Sequence, residues 1–152
     1  MNPPLRTPKD VEALKQGLKD GTIEVISTDH APHSAEEKTG SMKNTPFGIV
    51  GLETSLPLTY TELVEKGVIT LKQMVEKMCL NPAKILGLES GTLQEGHPAD
   101  VIIVDTEQEY TIDKNKFVSK GHNTPFDGWK VKGKVLYTIC DGKIIFENQE
   151  EK

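Results

Sequence analysis

The chain has 152 residues, of which 36% are hydrophobic and 27% are charged, and its formal net charge is −5. This size suits one domain or two small ones, and the composition is that of a globular protein with a modest core. The acidic balance and the lack of a Lys/Arg block argue against nucleic-acid binding. The longest apolar run, residues 101–104, is far shorter than the roughly 20 residues that cross a bilayer, so we expect no membrane contact.

Cys79 and Cys140 lie far apart and form no Cys-x-x-Cys motif. Met1 is not followed by the basic and apolar segments of a secretory signal. We therefore predict reduced, partly buried thiols in a cytoplasmic protein.

The first 28 residues predict one helix and one strand. Thr7, Pro8 and Asp10 form the start of a capped helix, and Gly21 ends it. Residues 23–28 are rich in β-branched side chains, which predicts a short buried strand. A helix followed closely by a strand indicates an α/β fold. The predicted apolar face of the helix consists of Val11, Leu14 and Leu18.

Residues 29–47 predict a long loop, because they are polar and show no period. The loop begins with Asp-His-Ala-Pro-His, a dense set of titratable groups at the end of the predicted strand. A loop of this length is either functional or disordered, and the titratable groups favour function.

The rest of the chain predicts helices followed by strands, with a boundary near Ser90. One helix begins near Leu52, a second begins after the cap at Thr70, and a short third begins at Asn81-Pro82. Asp141-Gly142 predicts a two-residue hairpin turn. We predict two domains, residues 1–90 and 91–152, with a frayed tail at 149–152. The predicted strands are residues 101–105, 109–112, 135–140 and 144–147.

Asp29 is the first candidate for chemistry because it follows the predicted strand. In a barrel of parallel strands, catalytic groups collect at the C-terminal strand ends. A carboxylate there can bind Zn²⁺ or act as a base toward a metal-bound water. The alternative is an ordinary turn or helix-capping residue.

The neighbouring His30 and His33 leave three alternatives open. They are two zinc ligands, a substrate-binding group, or two solvated loop side chains, and two ligands alone do not complete a structural zinc site. At the end of the loop, Phe47 and Gly48 either bring a backbone amide close to a substrate oxygen or form a turn before a helix. We predict no functional role for the following residues: His97, His122 and Trp129.

Several segments together resemble the bacterial class I dihydroorotases of the amidohydrolase superfamily, and they cover nearly the whole chain. Asn-Pro-Pro-Leu-Arg at 2–6 together with Asp-His-Ala-Pro-His at 29–33 favours this family over hydantoinases and allantoinases. The segments are residues 1–6, 27–33, 46–54, 81–88, 91–93, 95–96, 98–101 and 123–129.

This resemblance implies a TIM barrel with a small β-rich flanking domain, of which the chain is the C-terminal part. Asn2 would end barrel strand seven, residues 23–28 would be strand eight, and residues 52–88 would cover the barrel wall. Residues from Gly91 onward would be the C-terminal share of the flanking domain.

The resemblance also implies an activity, the zinc-dependent and reversible interconversion of L-dihydroorotate and N-carbamoyl-L-aspartate in pyrimidine biosynthesis. Asp29 would be both the acid/base and a zinc ligand. Asn2, His33 and the backbone near Phe47 and Gly48 would bind substrate. His30 receives no metal role.

The family's remaining metal ligands belong upstream of these residues, so we expect the chain to need an N-terminal portion and to be inactive alone. The expected partners are the small-molecule substrate, that missing portion, and either a second copy or an aspartate carbamoyltransferase. A different alternative is a non-catalytic subunit that scaffolds aspartate carbamoyltransferase, although Asp29 and His33 are retained here.

Overall fold

A computed structural model describes residues 1–149, so the predicted frayed tail lies mostly outside the described residues. Helix α1, Pro8–Asp20, begins with the predicted capping box. The Asp10 carboxylate accepts the Thr7 amide at 2.9 Å, and the Thr7 hydroxyl accepts the Asp10 amide at 3.4 Å. Gly21 ends the helix in the left-handed conformation, with φ of 89°. The predicted helix is confirmed, but its apolar face stays open, since Leu14 is 58% exposed.

Residues 23–28 do not form the predicted buried strand; they are irregular and only half-buried. A strand needs a neighbouring strand for its backbone hydrogen bonds, and none lies beside them within residues 1–149. The backbone bonds to helical residues instead. The Ile26 amide donates to the Lys77 carbonyl at 3.1 Å, and the Glu24 carbonyl accepts from Nδ2 of Asn81 at 2.8 Å.

Three short helices follow, as predicted. Thr70 caps the second through a capping box with Gln73. Gly87 ends the third in the left-handed conformation, with φ of 67°. The bounds are α2, Ser55–Thr59, which continues into a π-helical segment, Tyr60–Val64; α3, Leu71–Val75, which continues into a second π-helical segment, Glu76–Leu80; and α4, Asn81–Leu86.

The five strands are β1, Val101–Asp105; β2, Tyr110–Thr111; β3, Lys130–Val131; β4, Lys134–Cys140; and β5, Lys143–Glu147. They form two antiparallel sheets, one of three strands in the order β1–β4–β5 and one that pairs β2 with β3. The predicted Asp-Gly turn joins β4 to β5, with φ of 48° at Asp141 and 72° at Gly142. The four predicted strands are present, the second shorter than expected. Strand β3 was not predicted, because two residues are too few to show alternation. A 3₁₀ turn, Lys114–Lys116, lies between β2 and β3 in the chain.

The helical and β-rich parts are joined by hydrogen bonds that involve backbone amides. The Glu53 carboxylate accepts the amides of Val118 and Ser119 at 2.9 and 3.1 Å. The Thr61 hydroxyl accepts the Lys132 amide at 2.9 Å. These contacts hold the β-rich part against the residues that follow the long loop.

The buried apolar core of the described chain is small. It consists of Val50, Ile69, Met74, Ala83, Ile112 and Val131. On β5, Ile144 and Ile145 are 63% and 65% exposed. All five residues of β5 are exposed, so neither face of this strand is covered within the described chain.

Cys79 and Cys140 are free thiols, but both are exposed rather than partly buried as predicted. Cys140 ends β4 at the hairpin turn, where little of the chain covers it. Within residues 1–149, no helix combines the length and the apolar character needed to span a membrane.

Candidate functional site

Asp29 lies at the start of the long loop, directly after residues 23–28. Its φ is 43°, a left-handed conformation that is uncommon outside glycine and that Asp tolerates better than most residues. Such backbone strain clusters at active sites and ligand clamps. The side chain is exposed and makes no hydrogen bond or ion pair with any residue of 1–149. The carboxylate is therefore available to a ligand or a proton.

His30 has a local structural role. Its Nδ1 accepts the amides of Gly51 and Leu52 at 3.0 and 3.4 Å, and its backbone forms an isolated parallel bridge with Ile49. Since Nδ1 accepts hydrogen bonds, this nitrogen is not open to a metal ion. His30 fastens the start of the loop to the segment that leads into α2.

His33 contacts the far end of the same loop. Its Nε2 donates to the Phe47 carbonyl at 3.1 Å, and its Nδ1 lies 3.5 Å from Oε2 of Glu37. Gly48 follows with φ of 114°, and a Cβ on it would stand 2.5 Å from Cβ of Ala31. Only glycine fits this approach without a shift of the neighbouring chain. The structure thus brings together three candidate residues, His33, Phe47 and Gly48.

Two side chains within the loop hold its shape. Nζ of Lys38 donates to the carbonyls of Pro46 and Gly48 at 2.7 and 2.8 Å. The Ser34 amide donates to the Glu37 carboxylate at 2.9 Å. That hydrogen bond, with a smaller contribution from the nearby His33 ring, lowers the pKa of Glu37 below its usual value.

Asn123 ties the loop to the β-rich part, and the residue-type reasoning gave it no role. Its Oδ1 accepts the His33 amide at 3.0 Å, and its Nδ2 donates to the carbonyls of Ala31 and Gly48 at 2.9 and 3.1 Å. The His33 contact spans 90 residues of sequence, so no local spacing signals it. The only sequence sign was its place in the 123–129 segment that carries part of the resemblance.

A cavity of about 360 Å³ lies beside His33. Basic side chains dominate its wall, and no Asp or Glu contributes to it. The wall consists of His33, Ser34, Ala35, Lys38, Lys114, Lys120, His122 and Asn123. A larger open groove of about 1310 Å³ runs between α2 and the β-rich part, but of the candidate residues it borders only His30. The smaller cavity likewise borders one candidate, His33, and Asp29 does not line it. We centre the candidate site on this cavity and the loop around it because His33 also contacts Phe47.

The remaining candidates lie apart from this cluster or pack locally. Asn2 is exposed and makes no hydrogen bond with any part of the described chain, so no hydrogen bond joins it to the loop. His97 is exposed as well. His122 lines the small cavity and meets Phe117 edge to face, with centroids 6.4 Å apart. Trp129 packs edge to face on Phe126 at 5.1 Å, as expected of a packing residue.

The described residues do not form a complete metal site. No group of three or more His, Cys, Asp or Glu side chains within 1–149 is arranged to hold a metal ion. A catalytic zinc takes three protein ligands, whereas among the candidate residues only Asp29 offers an open carboxylate. The chain by itself therefore does not fit the zinc centre that the resemblance implies.

Among curated proteins, the chain is similar to part of two bacterial dihydroorotases. The dihydroorotase of Bacillus cytotoxicus is 54% identical over 149 residues, and that of Acetivibrio thermocellus is 53% identical over 145. The alignments cover 98% and 95% of this chain but 35% and 34% of those proteins. The chain thus spans about a third of the length of the curated relatives it matches.

Solved structures agree on the fold. The L-hydantoinase (dihydropyrimidinase) of Arthrobacter aurescens matches with a TM-score of 0.90 and 37% identity, covering 95% of this chain and 33% of that one. The dihydropyrimidinase of Brevibacillus agri matches with a TM-score of 0.90 and 27% identity, covering 96% and 33%. The sequence profile of the amidohydrolase family matches residues 2–145. Because that match runs through almost the whole chain, the chain belongs to the amidohydrolase family.

Proposed function

We propose that this chain is one part of a dihydroorotase, a longer enzyme that reversibly hydrolyses the ring of L-dihydroorotate to N-carbamoyl-L-aspartate. The observation that carries the proposal is the 53–54% identity to curated dihydroorotases along 95–98% of the chain. The hydantoinase and dihydropyrimidinase structures share the fold at 27–37% identity. This difference in identity favours dihydroorotate over hydantoins as the substrate.

The same proposal accounts for the open surfaces of the chain. Residues 1–90 would be the C-terminal part of a TIM barrel, and residues 91–152 would be the C-terminal portion of a β-rich flanking domain. In a barrel, residues 23–28 would have a strand on each side, and their backbone would gain the partners it lacks here. The rest of the enzyme would cover the apolar face of α1 and the faces of β5.

The reaction needs a group that moves a proton. Water oxygen bonds to the ring carbonyl carbon, the carbon–nitrogen bond breaks, and the leaving nitrogen takes up a proton. We assign this transfer to Asp29, whose carboxylate takes the proton from water and returns it to the nitrogen. Its support is the exposed carboxylate without a protein partner and the strained backbone at that position.

The loop around His33 suits recognition of a substrate oxygen. His33 holds the Phe47 carbonyl, and a trans peptide is planar with its N–H opposite its carbonyl. The Gly48 amide therefore points away from His33, and it has no acceptor within residues 1–149. We propose that this amide donates to the substrate and that His33 contributes by holding it in place. Asn2 remains a proposed substrate contact on the family resemblance.

The charge around the site fits the ligands of this reaction. Dihydroorotate carries one carboxylate, and ring opening creates a second. The cavity beside His33 is lined by three lysines, Lys38, Lys114 and Lys120, and by no carboxylate. Lys114 is partly neutralised by Asp127 at 3.2 Å, whereas the ammonium of Lys38 lies near the loop carbonyls. Glu37 also lies 3.5 Å from His33, so the positive charge left for an anionic ligand is only part of what the three lysines carry.

Zn²⁺ is the ion that the family resemblance implies. Of this chain's residues, Asp29 is the one we propose as a ligand, and the other ligands would come from the rest of the enzyme. For that reason we expect the 152-residue chain alone to lack both a tightly held zinc and turnover.

The proposal is tested by assaying the full-length protein that contains this chain against dihydroorotate and against hydantoin, with the chain alone as a matched control. We expect turnover of dihydroorotate, little turnover of hydantoin, and none by the chain alone with added Zn²⁺. Preference for hydantoin would overturn the substrate assignment. Turnover that follows the isolated chain through purification would overturn the assignment of the missing ligands to the rest of the enzyme.

A further inference from the structure

The side chain of Asn123 uses every polar atom it has on the candidate loop. A primary amide offers one acceptor oxygen and two N–H donors. Here the oxygen accepts the His33 amide, and the two donors reach the carbonyls of Ala31 and Gly48. Because the partners are an amide and two carbonyls, this pattern also fixes which atom of the side chain is oxygen and which is nitrogen.

The backbone around Asn123 is fitted to the same loop. Its carbonyl accepts the Val50 amide at 3.1 Å, just beyond Gly48. Gly121 is buried, and a Cβ on it would stand 2.8 Å from Pro32 and 2.9 Å from the His33 amide nitrogen. The 121–123 segment therefore packs against the start of the loop near His33 and against its end near Gly48. Asn123 connects these two ends.

We propose that Asn123 is a positioning residue that holds the substrate-binding loop in its working shape, a role that rests on the proposed function. Its side chain fixes the backbone of His33 on one side and the carbonyl of Gly48 on the other. Those two contacts set the distance between His33 and the Phe47 carbonyl, and through it the direction of the Gly48 amide. Asn123 would act through the loop, because its side-chain hydrogen bonds all go to loop backbone atoms.

Two variants of Asn123 in the full-length protein separate the contributions of its donors and acceptor. Asn123→Ala removes all three hydrogen bonds. Asn123→Asp keeps the shape and the acceptor but sets a carboxylate oxygen against two carbonyl oxygens. We expect both variants to raise KM for dihydroorotate by about 10-fold or more, with a smaller fall in kcat. The KM of Asn123→Asp should be no closer to the wild-type KM than that of Asn123→Ala. Asn81→Ala is the matched control, since Asn81 also donates to a backbone carbonyl, that of Glu24, but outside the loop.

Hydrogen exchange supplies a second measurement that does not depend on turnover. Peptides covering residues 31–50 should exchange faster in both Asn123 variants and at the wild-type rate in Asn81→Ala. Unchanged exchange in the Asn123 variants would overturn the proposal whatever the kinetics. Faster exchange with an unchanged KM would also overturn it, since the role would then be structural only. If the wild-type protein itself does not hydrolyse dihydroorotate, it is the proposed function that fails. The positioning role fails separately, through unchanged exchange or through an unchanged KM in variants of an active protein.

Discussion

The Nε2 atom of His33 lies 3.1 Å from the carbonyl oxygen of Phe47, fourteen residues further along the chain. A carbonyl only accepts hydrogen bonds, so this nitrogen carries the hydrogen. The contact closes the loop on itself and turns the following amide, that of Gly48, away from the ring. Two residues singled out as substrate-binding candidates are thus joined to each other, and the loop between them is a structural unit.

Gly48→Ala tests the close approach at the end of this loop, and Gly40→Ala is its matched control. Both glycines have φ of 114°, but a Cβ at Gly48 would meet Ala31 at 2.5 Å, whereas one at Gly40 would meet only Thr45 at 3.9 Å. Both variants carry backbone strain of about 1–3 kcal/mol. Gly48→Ala adds a clash of about 1–3 kcal/mol. We expect Gly48→Ala, but not Gly40→Ala, to raise the KM of the full-length protein strongly. An equal rise in KM in the two variants would contradict the account.

The Ser34–Glu37 hydrogen bond predicts a dependence of loop stability on pH. The pKa of Glu37 is lowered in the folded chain, chiefly by the Ser34 amide. A lowered pKa stabilises the fold above the unfolded value near 4.5, and this contribution disappears as pH falls through the folded pKa. We expect the full-length Glu37→Gln variant to melt at a lower temperature than the wild-type protein at pH 7. At a pH below the folded pKa of Glu37, the two proteins should melt at the same temperature. Calorimetry across that range checks this, and a difference that persists or grows in acid would contradict it.

Sequence reasoning succeeded where the determinants are local. The capping box of Thr7 and Asp10 and the Asp141-Gly142 turn depend on residues within one turn of each other, and both are present. It was wrong for residues 23–28, because a strand exists only if a neighbouring strand supplies hydrogen-bond partners. Asn123 was missed for a related reason, since its partners are decided by tertiary folding and not by spacing.

The isolated chain should self-associate. On β5, an edge strand of the described sheet, Ile144 and Ile145 are mostly exposed, and the apolar face of α1 is open. Exposed strand edges and large apolar patches promote association. We expect sedimentation that depends on concentration, reduced by Ile145→Lys, and a weak near-ultraviolet signal from Trp129. A monomer at all concentrations with a sharp cooperative melt would show that the chain is a self-sufficient domain.

The most direct test of the account is the kcat of Asp29→Asn in the full-length protein, measured with dihydroorotate beside Asp141→Asn. Both positions have a positive φ, 43° and 48°, which Asn tolerates, so the backbone is preserved in each variant. Only Asp29 is assigned a proton to transfer, a contribution of typically 100-fold or more. We predict a kcat about 100-fold or more below wild type for Asp29→Asn and a wild-type kcat for Asp141→Asn. A kcat for Asp29→Asn within a few-fold of wild type would contradict the proposed chemistry.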